Sequence, residues 1–95
     1  MNIQEENTMV SQKIMIKNAS GLHARPAGVL AKEAGKCKSD VTMVVGDRTV
    51  TVKSILNIMA AGIKCGTEVE VRCDGENEEA DLKTLVDLIE SGLGE

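Results

Sequence analysis

The 95-residue chain contains no phenylalanine, tyrosine or tryptophan. Its core must therefore be filled by valine, isoleucine, leucine, methionine and alanine, and no ring is available to stack on a nucleic-acid base. No apolar run approaches the ~20 residues of a membrane-spanning helix. The segment Met1-Asn2-Ile3-Gln4-Glu5-Glu6 has neither the basic nor the apolar part of a signal peptide. A cytoplasmic location without membrane insertion is expected. Cys37, Cys65 and Cys73 are odd in number and form no Cys-x-x-Cys pair, which argues against both a disulfide framework and zinc. They are read as reduced packing thiols, and no metal or cofactor is expected. Histidine and proline occur once each, as His23 and Pro26.

The chain is the length of one domain, and its apolar fraction of 42% is ordinary. Charge is distributed unevenly. Residues 9–64 carry nine basic and three acidic side chains, and residues 65–95 carry two basic and ten acidic ones. The basic portion favours acidic or phosphate-bearing partners. With a net charge of −4 and no aromatic residue, nucleic acid is not the expected partner.

Residues 1–10 show no periodicity and read as a loosely ordered or disordered extension, leaving 11–95 as a single domain. Lys13-Ile14-Met15-Ile16-Lys17 suits a first strand. A helix is expected from Ala24 to Ala34, with Gly35 as its capping glycine. Gly28 inside it costs ~1 kcal/mol relative to alanine, so a close approach by the sheet or a partner is expected there. Val41–Val45 and Arg48–Val52 flank Gly46-Asp47 as a hairpin, and 67–74 alternates cleanly as a fourth strand. Between them Ser54 and Gly62 bracket a helix of about two turns. A last helix starts near Asn77, carries Glu78, Glu79 and Asp81 on its positive end, ends at Gly92 and presents Leu82, Leu85, Val86 and Ile89. The order β-α-β-β-α-β-α predicts an α+β fold, an open-faced β-sandwich whose four-stranded antiparallel sheet is covered on one face by three helices.

His23 is the focus of the chemistry. Imidazole is largely neutral near pH 7 and is then nucleophilic. Pro26 fits the first turn of a helix, which puts His23 at or beside the N-cap, where unpaired amides form an anion site. The N–H groups of Ala24 and Arg25, with the Arg25 guanidinium, can hold a phosphoryl group on His23. A surface histidine beside an unrelated arginine is the plain alternative. Ser54 has a structural role as a helix cap. Ile55, Leu56, Ile58 and Met59 either fill the core or, in part, form an exposed patch, with Leu56 and Met59 the first candidates.

Gly21-Leu22-His23-Ala24-Arg25-Pro26-Ala27 resembles the active-site segment of HPr, the histidine-containing phosphocarrier family of the bacterial phosphoenolpyruvate-dependent sugar phosphotransferase system. Val52-Lys53-Ser54-Ile55-Leu56 with Met59, Gly62-Ile63 and Gly66-Thr67 resembles the family's regulatory-serine segment, as in its Gram-positive-type members. The resemblance implies a carrier, not an enzyme. His23 would take a phosphoryl group from phospho-enzyme I and pass it to EIIA components, with Arg25 and the Ala24 and Arg25 amides binding the phosphate. Ser54 would be the target of HPr kinase/phosphorylase, and binding by a catabolite-control transcription regulator is left open; Ile55, Leu56 and Met59 are the candidate partner contacts. The chain is expected to act as a monomer.

Overall fold

Period-two alternation forms the strands and 3.6-residue spacing forms the helices. The computed structural model, which describes residues 9–93, carries them in the expected order. The elements are β1 (Val10–Met15), α1 (Ala24–Gly35), β2 (Asp40–Val45), β3 (Arg48–Thr51), α2 (Ile55–Ala60), β4 (Glu68–Asp74) and α3 (Glu78–Glu90). The strands form one antiparallel sheet in the spatial order β1-β4-β2-β3. Helix α3 packs on β1 and β4, α2 on β3, and α1 against both other helices. The fold is the expected α+β open-faced sandwich.

One sheet face buries Ile14, Val41, Met43, Val50, Val69, Val71 and Cys73 against Leu30, Ile58, Leu85 and Ile89 of the helices. Pairing puts Lys13 opposite Glu70 and Thr42 opposite both Thr51 and Arg72 on the other face, which is polar, as antiparallel sheets allow. Arg72 reaches Glu70 there at 3.2 Å.

Several boundaries differ from the sequence reading. Strand β1 begins at Val10, opposite Cys73, inside the segment assigned to the extension. Ser11, Gln12 and Lys13 are all exposed on this edge strand, so alternation is invisible there. Residues 1–8 lie outside the described residues. Helix α1 includes Gly35 and ends on Lys36 in right-handed helical geometry (φ −84°), without a left-handed glycine. Its last turn tightens instead, with Lys36 N–H on Glu33 O and Cys37 N–H on Ala34 O, both at 3.0 Å. The sheet does not approach Gly28 closely, since a Cβ there would have nothing within 4 Å. The thiols divide. Cys73 is buried and Cys37 half-buried, as packing residues, but Cys65 is exposed on a turn. Burial raises the Cys73 thiol to about 12; burial and Asp81 raise Cys37 to about 11.

Glu78, Glu79 and Asp81 stand in the first turn of α3 as expected, and two of them, Glu78 and Asp81, are buried. The Asp81 carboxylate accepts hydrogen bonds from Ser39 N–H at 3.0 Å, Ser39 Oγ at 2.7 Å and Asn77 Nδ2 at 3.2 Å. Glu78 accepts from Gly75 N–H at 3.0 Å. The two Ser39 bonds pin the start of α3 to the loop after α1. Burial by itself would raise the Asp81 pKa, but the hydrogen bonds from Ser39, Asn77 and the Lys38 backbone outweigh it and hold the carboxyl below its ordinary range.

Two outcomes follow for stability. Gly28→Ala should stabilise the fold by about 0.5–1 kcal/mol in urea unfolding, since the helix gains propensity and meets no obstruction. Asp81→Asn should cost about 2 kcal/mol at neutral pH, the scale of hydrogen bonds to a buried charge. A lowered folded-state pKa contributes stability that is full above the unfolded value and is lost as pH falls through the folded one. The gap between wild type and Asp81→Asn should therefore be constant above about pH 5 and close below about pH 4. A gap that widens in acid would contradict this assignment.

Candidate functional site

The loop between β1 and α1 is held by backbone bonds to the turn before β4. Ile16 N–H donates to Thr67 O at 2.9 Å, Gly66 N–H to Ile16 O at 2.8 Å and Leu22 N–H to Ile63 O at 2.9 Å. Gly21 has φ +71°, and a Cβ there would strike the Ile63 carbonyl oxygen and lie 2.9 Å from Lys64 Cα. Only glycine fits at this crossing. Leu22 is then drawn into the core while His23, the next residue, is exposed.

His23 is the N-cap of α1, with extended backbone (φ −90°, ψ −156°). Its carbonyl accepts the first intrahelical bond, from Ala27 N–H at 2.9 Å. Pro26 has no N–H, so the amides of Ala24 and Arg25 are the donors ahead of that bond. The His23 side chain does not cap them, and the first turn contains no acidic residue. Instead Nε2 lies 2.6 Å from Ser20 Oγ. The Arg25 side chain is exposed, and none of the described ion pairs involves it. Two outward amides, the positive end of a helix, a guanidinium and a nucleophilic ring therefore meet at one exposed point. That is an anion site beside a group able to form a P–N bond.

A concavity of about 220 Å³ is lined by Ser20, His23, Met59, Ile63 and Lys64, with Leu22 and Gly62. It joins the His23 loop to the C-terminal end of α2. Ser54 is at the other end of that helix, roughly 7 Å away along the axis from Met59. Its Oγ accepts from Asn57 N–H at 3.2 Å, so the expected cap is present. Ile58 is buried, while Ile55, Leu56 and Met59 are 44%, 78% and 41% exposed. The helix thus divides between core and surface, and three of its four large apolar residues form the patch. Arg48 Nη1 closes its far end by donating to Ala60 O at 3.0 Å.

Sequence reading missed Ser20 and Lys64. Ser20 was visible only as a turn residue three positions before the histidine; Lys64 joins the site through the fold alone. Among the described residues no three His, Cys, Asp or Glu side chains gather as a metal site requires, and no helix is long and apolar enough to cross a membrane.

Comparison with known proteins identifies the family. A family model described as PTS HPr component phosphorylation site matches residues 10–91. The chain is 40% identical over 77 residues to the phosphocarrier protein HPr of Mycoplasma capricolum, covering 81% of this chain and 86% of that one. It is 35% identical over 82 residues to the HPr-like protein Crh of Bacillus subtilis, covering 86% and 96%. The crystal structure of HPr-C-His from Thermoanaerobacter tengcongensis matches with a TM-score of 0.86 at 42% identity, over 90% of this chain and 97% of that one. The chain belongs to the HPr family, the phosphocarrier proteins of the phosphotransferase system, which carry a phosphoryl group and are not themselves enzymes.

Proposed function

We propose that His23 is the residue that carries the phosphoryl group, received from phospho-enzyme I and passed to EIIA components. The observation that carries this reading is the uncapped, acid-free N-terminus of α1 beside an exposed imidazole. When Nε2–H donates to Ser20, the lone pair lies on Nδ1, which attacks phosphorus as the donor's P–N bond breaks. Transfer to EIIA reverses the roles. Phosphoryl transfer is mostly positioning and charge stabilisation, which the Ala24 and Arg25 amides and the Arg25 guanidinium supply. Equal grip on donor-bound and acceptor-bound phosphate keeps the group transferable.

The exposed Ile55, Leu56 and Met59 beside this site are the proposed partner contacts. Methionine adapts to differently shaped partners, which suits a carrier serving several. Ser54 is the proposed regulatory site for HPr kinase/phosphorylase. Its phosphate would add about two negative charges at the positive end of α2, without breaking the helix, next to Ile55 and Leu56. Similarity to Crh, known as the Bacillus subtilis catabolite repression HPr, favours this arm, with a catabolite-control regulator as reader of the modified form.

Incubation with enzyme I and phosphoenolpyruvate should add one acid-labile phosphoryl group to wild type and none to His23→Ala, read by intact mass; label persisting on His23→Ala would remove this histidine from the mechanism. With HPr kinase and ATP, wild type should gain one acid-stable group and Ser54→Ala none. Equal labelling of both would reject the serine assignment.

A further inference from the structure

Asn18 is a buried polar residue, 4% exposed, in a loop whose other polar side chains face solvent. Its Nδ2 donates to Gly92 O at 2.6 Å, across 74 residues of sequence. Gly92 stands in the turn that ends α3. Gly92 N–H bonds Ile89 O at 3.1 Å, Leu93 N–H bonds Leu88 O at 3.2 Å, and Leu93 is fully buried. This glycine-terminated double bond with its apolar anchor makes the turn a fixed point. Asn18 also accepts Gly21 N–H on its own carbonyl at 2.9 Å, closing a four-residue turn over 18–21. Ser20 is the third residue of that turn, and its Oγ is 2.6 Å from His23 Nε2. The turn is therefore held at both corners, at Gly21 by the Ile63 backbone and at Asn18 by the end of α3.

We infer that Asn18 is a positioning residue for the phosphoryl acceptor, wiring the C-terminal turn of α3 to His23 through Ser20. This rests on the reading of His23 as the acceptor. Without the amide, the first corner of the turn loses its bond to the end of α3, and the hydroxyl that orients the imidazole is less firmly held. A rotated ring presents the wrong nitrogen or the wrong angle to the incoming phosphorus, so the loss falls on the chemical step and not on the docking of enzyme I.

The test is a double-mutant cycle between Asn18→Ala and Ser20→Ala, read three ways. Long-range ¹H–¹⁵N spectra of the His23 ring in Asn18→Ala should move towards those of Ser20→Ala. Transfer from phospho-enzyme I should lose roughly five-fold in kcat, the scale of one hydrogen bond, with KM unchanged. The double variant should transfer no more slowly than Ser20→Ala, although its loss of thermal stability is the sum of the two single losses. Asn18→Asp keeps the shape, turns a carboxylate on the Gly92 carbonyl and should behave as Asn18→Ala does. Ring spectra and kcat at wild-type values in both Asn18 variants, or a double variant whose rate loss is the product of the two singles, would overturn the inference. The ring spectra are recorded without phosphate, so they decide the Asn18 question even if the label proves to lie elsewhere than on His23.

Discussion

The structure depends on a helix start that the protein leaves unsatisfied. Helix α2 has one amide of its first turn, that of Asn57, answered by Ser54, and α3 has Glu78, Glu79 and Asp81 in its first turn. Helix α1 has neither a side-chain cap nor an acidic residue there. An uncapped helix start costs on the order of 1 kcal/mol. Here that cost is confined to one exposed point, next to the chain's only imidazole, where an anion can recover it.

The remaining architecture can be understood as what holds that point open. Gly21 crosses the Ile63 backbone so closely that no side chain fits, which turns Leu22 inward and His23 outward. Pro26 and Ala27 are buried beneath the first turn, so the outward amides are fixed from below. Leu30, Ala31 and Ala34 continue the inward stripe, and their small average size lets α1 lie close to its neighbours without any aromatic filling. The short α2 buries only Ile58 of its large residues, which leaves an apolar surface next to the His23 loop. It is this surface that the proposed partner contacts would use.

Much of this was legible in the sequence. Alternation gave β2, β3 and β4 nearly to the residue, and Ser54 and Gly62 bracketed α2 correctly because local capping chemistry is encoded locally. The polar run Ser11-Gln12-Lys13 concealed the start of β1, since an edge strand can be solvated on both faces. Gly35 misled because it resembled a left-handed cap where the helix instead tightened, whereas at Gly28 it is the sheet alone that makes no close approach. Asp81 and Glu78 stand in the first turn of α3 as read, but their burial was not legible, because that of Asp81 depends on Ser39, which only the fold brings near. Within the site, His23, Ala24 and Arg25 are contiguous and could be read directly. Ser20 was overlooked as turn chemistry, Lys64 arrives through the crossing at Ile63, and Asn18 acquires meaning only from its bond to Gly92.

Amide spectra of the protein before and after phosphorylation by enzyme I and phosphoenolpyruvate show whether the start of α1 holds the phosphate. The N–H resonances of Ala24 and Arg25 should move further downfield than any others, as charge-assisted bonds to phosphate oxygens form. Phosphate on His23 with these two resonances unmoved would contradict this.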